Sequence, residues 1–243
     1  GSRSATMGGS AVHIAARRVE GKGKLIAAHL LRLDPSEINF ADGLFSSPRS
    51  NRTLSIREVA KEAMDPASLP DGMDVGLIAT ATYTAPVQNF PNGCHVCEVE
   101  VDQETGEAAV VRYSVVDDVG TVINPLLLKG QIVGGVTQGV GQILMEDIRF
   151  DDDGQNLTAS FMDYAMPRAT DIKAVDVKSN PVPTSTNPLG VKGAGEAGCV
   201  GALPATANAL VDALSHLGVR HIEMPATPER LWRAMNAYPA RRS

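Results

Sequence analysis

Aromatic residues are scarce: they make up 4% of the 243-residue chain, with a single Trp. The interior must therefore be built from Ala, Val, Ile and Leu, with many tight turns at the 23 Gly and 15 Pro. Basic runs are missing and the formal net charge is -6. That argues against a nucleic-acid phosphate footprint as the main role. Cysteines number three, without regular spacing. This does not suggest a disulfide framework and fits a reducing compartment, so a cytoplasmic location is expected. No secretory signal is read at residue 1. No apolar stretch is read as reaching the roughly 20 residues of a membrane span. The length allows one or two domains with a real core.

What the chain does have is a concentration of glycine around one acid, in Gly190-Val191-Lys192-Gly193-Ala194-Gly195-Glu196-Ala197-Gly198. Glycines let backbone pass close to another body. A carboxylate fixed in such a loop, just before a helical stretch, is a candidate general base. The alternative is a Gly-rich connection carrying a solvated Glu, since short Gly motifs are unspecific.

The opening Gly1-Ser2-Arg3-Ser4 combines amides, hydroxyls and a guanidinium. It reads either as an anion cradle or as a loose terminus. Helical spacing of Val12, Ala15, Ala16 and Val19 predicts a helix from Ala11 to Val19. Lys24 to Leu33 fits a strand or a short helix, and Glu37 to Phe45 a strand and turn. Ser55-x-x-Glu58 is a capping box that opens a helix ending near Asp65-Pro66. Val75 to Tyr83 looks extended. Cys94 to Asp102 and Ala108 to Val116, joined by Gln103 to Glu107, predict a β-hairpin. Cys94-x-x-Cys97 with His95 is not read as a metal site. Residues i and i+3 of a strand point to opposite faces, and no second pair completes a tetrahedron. His13 and His29 read as packed or surface residues.

A helix is predicted from Leu126 through Gln142 despite its glycines, with Gly130, Gly134 and Gly141 forming a thin face. Gln131 and Gln138, two turns apart, share a side of it. Their amides suit the edge of a heterocycle, or are simply solvated. Glu146 to Phe150 and Lys173 to Ser179 read as strands, with Asp151-Asp152-Asp153-Gly154 as an acidic turn rather than a calcium loop. Ala202 to Leu217 is a helix whose N-terminus faces the Gly loop and favours an anion there. Thr227-Pro228 starts the last helix. Together these elements predict an α/β (α+β) fold.

Several runs in order then carry a family resemblance. They are Asp118-Val119-Gly120-Thr121-x-Ile123-Asn124-Pro125, Gly130-Gln131-x-x-Gly134-Gly135-x-x-Gln138-Gly139-x-Gly141, Gly190-x-Lys192-Gly193-x-Gly195-Glu196, Leu203-Pro204-Ala205, and Met224-Pro225-Ala226-Thr227-Pro228-Glu229-Arg230-x-Trp232. This pattern resembles the molybdenum-binding large subunit of the xanthine dehydrogenase, aldehyde oxidase and aerobic carbon monoxide dehydrogenase family. The resemblance covers the chain essentially end to end, but only the C-terminal part of that subunit, so residues 1–243 are expected to be its molybdopterin-binding region, divided or not into two subdomains.

The resemblance implies hydroxylation of an aldehyde or N-heterocycle with water as oxygen source, and Glu196 as the base. It implies a molybdenum–molybdopterin cofactor, as the cytosine dinucleotide, contacted by Gly1, Ser2, Arg3, Ser4 and Gln131 and lined by Lys192, Gly193, Ala194 and Gly195. No metal ligand is expected from the chain, because the pterin holds the molybdenum. Implied partners are the N-terminal half of the large subunit, an iron–sulfur subunit with 2Fe-2S clusters and an FAD subunit, assembled as a dimer of the complex. A non-catalytic scaffold or assembly subunit of the same fold is the alternative.

Overall fold

The computed structural model describes residues 2–237. The chain forms two compact units, one of Gly1–Thr6 with Pro86–Ser243 and one of Met7–Ala85. A π-helical turn, Ser4–Gly9, leads into the long helix α1, Ser10–Leu31. The two segments separated in the sequence reading, Ala11 to Val19 and Lys24 to Leu33, are therefore one helix. Glu20 ties the halves by pairing with Arg17 at 2.5 Å and Lys24 at 2.9 Å. Gly23 is needed because the Phe45 ring lies against it, with Phe45 Cζ 2.5 Å from where a β-carbon would stand. Arg32, at φ 57°, ends the helix in a left-handed turn.

The smaller unit then adds a three-stranded antiparallel sheet of β1 (Asn39–Ala41), β2 (Leu44–Ser46) and β3 (Leu54–Ser55). The short helix α2 (Ile56–Glu62) follows, and both halves of its capping box are made. Ile26, Ala27, Ile38, Phe45, Val59 and Ala63 form the core of this unit. Val75 to Tyr83, read as extended, is assigned to no strand.

The larger unit is built on the predicted hairpin, β4 (Asn92–Val101) and β5 (Ala108–Asp118). A register shift at Glu98/Val99 interrupts its antiparallel ladder. The turn is fixed by Asp102, whose carboxylate accepts from the amides of Glu104 and Thr105 at 2.8 and 2.9 Å. From β5 the chain enters α3 (Pro125–Leu144), capped by the Asn124 side chain on the amides of Leu126 and Leu127. It returns in β6 (Val175–Ser179), parallel to β5. Glu146 to Phe150 makes only a single bridge, Phe150 with Asn156, where a strand was expected.

Helix α4 (Ala197–Leu214) begins five residues earlier than expected, immediately after Glu196, and continues through Pro204. Gly198 was read as loop, but it and Gly201 are needed for packing: β-carbons there would strike Ile132 O of α3 and the His95 ring of β4. The last helix, α5, spans Pro228–Ala237.

Ala202, Thr206, Leu210 and Leu214 recur every four residues and form the buried side of α4. Here α4 packs on β4 and α3, and the core gathers Val110, Tyr113, Val115, Ile132, Val136 and Leu231 around it. Ala197–Leu217 is long and apolar enough to cross a membrane by length and composition. That corrects the expectation that no such stretch exists. A third of that apolar window is buried.

Of the thin face expected at Gly130, Gly134 and Gly141, only Gly141 meets another part of the chain among the described residues. A β-carbon at Gly130 or Gly134 would meet nothing within 4 Å. The close approach is at Gly135 and Gly139, where α4 crosses, and at Gly141, against Pro167.

Candidate active site

The Gly loop is held by the end of β5, some seventy residues earlier. Lys192 N–H donates to Val119 O at 2.7 Å, Thr121 N–H to Gly190 O at 2.9 Å, and Gly120 bridges Val191. Gly120 and Gly190 have φ of 67°, and each would clash with the opposite segment if it carried a side chain. The Asp118-Val119-Gly120-Thr121 run and the Gly190-x-Lys192 run are thus two sides of one junction.

Asn187 braces it from within. It is buried, its carboxamide donates to Val191 O at 2.8 Å, and it accepts from the amides of Leu189 and Val191 at 3.2 Å. Asn89 adds a bond to Val191 O at 3.3 Å.

Lys192 is occupied by this junction. Its ammonium lies 2.5 Å from Asp118 Oδ2, and both side chains are less than 15% exposed. Burial opposes ionisation of Asp118, but the Lys192 ammonium and the amides of Val182 and Gly120 outweigh it and pull the carboxyl down to about 2. Both the side chain and the amide of Lys192 are therefore committed to holding the loop.

Beyond Lys192 the loop carries the catalytic candidates. Glu196 is the exposed residue just before the first turn of α4. Its Oε2 accepts from Ser2 Oγ at 3.1 Å. Ser2 has φ 53°, a left-handed conformation that costs a non-Gly residue about 1–2 kcal/mol. It is folded down on the loop: Ser2 O would be 2.6 Å from a β-carbon on Gly193, and Ser2 Oγ 3.0 Å from one on Gly195. Glycine at 193 and 195 is what admits the N-terminal segment.

Gln131 arrives from α3, its Nε2 3.8 Å from the same Gly195 position. Ser2, Gln131, Gly193, Gly195 and Glu196 therefore converge from three separate stretches of chain. Ala194 lies between the two glycines and accepts from the Ala197 amide at 3.4 Å. Arg3 and Ser4 follow Ser2 and are exposed, and Arg3 O accepts from the Thr6 hydroxyl. Gly1, also expected to contact the cofactor, lies outside the described residues.

Among the described residues no group of His, Cys, Asp and Glu could hold a metal ion. The donors brought together are an amide, a hydroxyl, a carboxylate and glycine backbone. Such a set suits the polar edge of an organic cofactor that carries its own metal, and the exposed, side-chain-free Gly134 beside Gln131 leaves room for one.

Sequence reasoning missed Asp118 and Asn187 as the supports of the loop. It also missed a buried cluster under α4. His95 Nδ1 lies 2.8 Å from the Tyr113 hydroxyl, and His95 Nε2 lies 3.3 Å from Asp117 Oδ1. Burial pushes the Tyr113 hydroxyl far above its ordinary range, helped by Cys97 and Asp117, so it stays protonated. Burial likewise pushes up the thiol of Cys97, beside it on β4.

Comparison with known proteins agrees with this chemistry. The chain is 34% identical over 98% of its length to the carbon monoxide dehydrogenase large chain of Hydrogenophaga pseudoflava, of which it covers 30%. It is 36% identical over 95% of its length to the 6-hydroxypseudooxynicotine dehydrogenase complex subunit gamma of Paenarthrobacter nicotinovorans, of which it covers 29%. Its fold superposes on a Cu,Mo-CO dehydrogenase with a TM-score of 0.88 at 33% identity, over 98% of this chain and 30% of that one. Quinoline 2-oxidoreductase from Pseudomonas putida 86 gives 0.87 at 36%, with the same coverage. The chain thus spans about 30% of the length of these relatives. The molybdopterin cofactor-binding domain profile matches residues 1–173, and with the fold and the donor set in agreement, the chain belongs to the molybdopterin cofactor-binding domain family.

Proposed function

We propose that this chain is the C-terminal, cofactor-contacting region of the large subunit of a molybdenum hydroxylase, and that Glu196 is its general base. The convergence of Ser2, Gln131 and Glu196 around Gly193–Gly195 carries the reading. When bound, the molybdenum–pterin cofactor supplies two-electron oxidation with water as the oxygen source. The chain's own part is to hold that cofactor and to take a proton. Gln131 offers an amide to the pterin edge. Gly1, Ser2, Arg3 and Ser4 would contact the pterin or its nucleotide phosphates, and Gly193, Ala194 and Gly195 would present backbone to the cofactor. Lys192 acts at one remove, by fixing the loop through Asp118.

With the cofactor bound, Glu196 Oε would serve as the proton acceptor. The Ser2 hydroxyl, bonded to Oε2, fixes which way the carboxylate faces. Positioned proton transfer of this kind contributes roughly 10²–10⁴-fold.

The substrate class proposed is an aldehyde or an N-heterocycle. Relatives named for nicotine, quinoline and aldehyde oxidation support it. The parent protein is proposed to use the cytosine dinucleotide form of the pterin. It would pass electrons to 2Fe-2S clusters and FAD on partner subunits, as a cytoplasmic dimer of the assembled complex.

The test is Glu196→Gln in the full-length assembled protein, with molybdenum content measured beside turnover. The expected result is full metal loading with kcat reduced at least about 100-fold. Wild-type turnover would remove Glu196 from the mechanism.

A further inference from the structure

The His95–Tyr113–Asp117 cluster has no part in the chemistry proposed above. All three side chains are nonetheless buried: His95 is 6% exposed, Asp117 4% and Tyr113 0%. Among the described residues Asp117 Oδ2 has no hydrogen-bond partner. Filling a core does not require this. An apolar group of the same volume would avoid the cost of an unpaired carboxylate oxygen. The arrangement does fix an imidazole at both ring nitrogens. The Tyr113 hydroxyl at Nδ1 and Asp117 Oδ1 at Nε2 together hold the ring in one orientation.

The imidazole so fixed lies against α4. Its Cδ2, Cε1 and Nε2 are each 2.5 Å from where a β-carbon on Gly201 would stand. Gly201 is five residues beyond Glu196, about 7.5 Å along the helix axis at 1.5 Å per residue. Three residues back, on the adjoining face of α4, Gly198 sits against the backbone of Ile132 and Val136. The first turns of α4 are thus held by a clamp of two adjoining contacts, one with β4 and one with α3, and Glu196 sits at the tip.

We infer that His95, held by Tyr113 and Asp117, is a positioning residue that sets the first turns of α4 and, through them, the carboxylate of Glu196. The second half of this statement rests on the general-base reading; the clamp itself does not. A shift of α4 carries Glu196 with it, and a displacement of about 1 Å is enough to lower turnover roughly 100-fold.

The experiment uses the full-length assembled protein with Tyr113→Phe and His95→Gln. Tyr113→Phe keeps the ring and removes only the hydroxyl, so it preserves the core. Hydrogen exchange is followed in Ala197–Leu214 and in Pro125–Leu144, and kcat, KM and molybdenum content are measured beside it. The expected result is exchange at least about 10-fold faster in residues 197–202, with α3 unchanged. The kcat should fall several-fold in Tyr113→Phe and about 10- to 100-fold in His95→Gln, with KM and metal content retained.

Wild-type exchange in residues 197–202 of both variants overturns the clamp. So does equal acceleration in α3, which would mark a merely structural role. Faster exchange with wild-type kcat overturns the link to Glu196. If Glu196→Gln itself keeps wild-type turnover, the general-base reading and the link to Glu196 fall together, and the exchange data alone then decide the clamp.

Discussion

The glycines of α3 set a sharp test, because one substitution should have opposite signs at two positions of a single helix. Replacing a helical Gly by Ala gains about 0.8–1.0 kcal/mol from backbone entropy alone. At Gly130 nothing opposes the gain, since the added β-carbon meets nothing within 4 Å. At Gly135 the β-carbon would stand 2.8 Å from Cys199 N and 3.0 Å from Gly198 Cα. Those atoms are backbone of α4, so no side chain can turn away. Restoring an ordinary contact of about 3.5 Å moves one helix by roughly 0.7 Å. Overpacking of that kind costs about 1–3 kcal/mol and outweighs the propensity gain. Gly130→Ala should therefore raise stability by nearly 1 kcal/mol, and Gly135→Ala should lower it by up to about 2 kcal/mol. Urea unfolding of the two variants against the parent measures this directly. A rise in midpoint for Gly135→Ala, or equal movement of both midpoints, would refute the close helix crossing.

Other outcomes follow from the loop and its supports. Lys192→Met should cost about 2 kcal/mol near neutral pH, as expected for a charge-assisted hydrogen bond to a mostly buried carboxylate. Because the folded state depresses Asp118 from an ordinary value of 3.8 to about 2, this stabilisation is present above about pH 4 and disappears as pH falls through 2. The gap between parent and Lys192→Met in acid unfolding should close over that window. Asn187→Ala removes three hydrogen bonds from a buried position and should destabilise by about 2–3 kcal/mol, read as a lower melting temperature with earlier exchange of the Val191 amide. Ser2→Ala keeps the strained turn but loses the bond to Glu196; the assembled protein should keep its molybdenum while kcat drops by about 10-fold, the equivalent of roughly 1.4 kcal/mol.

Elements with a strong local signal were legible in the sequence. The hairpin was written in alternation and a polar turn, α2 in its capping box, and α5 in Thr227-Pro228. The Gly-rich acid loop stood out for the same reason: its composition is abnormal wherever the chain goes. Glycine was also the main source of error. Gly198 was read as loop although it lies inside α4, and the close helix contact of Gly135 and Gly139 was not picked out. A glycine shows that backbone must come close to something, but its neighbour is named only by the tertiary structure. Long-range polar supports were invisible for a related reason. Lys192 with Asp118, and His95 with Tyr113 and Asp117, are separated by 74, 18 and 22 positions, and nothing local marks either partner.

By itself, then, the sequence determined the hairpin, the capped helix α2, most of α3 and α4, and the glycine-rich loop, because those follow from near-neighbour spacing and dihedral freedom. It also determined which acid was exceptional. Only the tertiary structure decided that Ser2 reaches Glu196 across 194 positions, that Lys192 serves Asp118 rather than facing outward, and that α4 begins directly at that glutamate. Those outcomes depend on which surfaces fit closely enough to exclude a single β-carbon, a condition set by the packed fold as a whole.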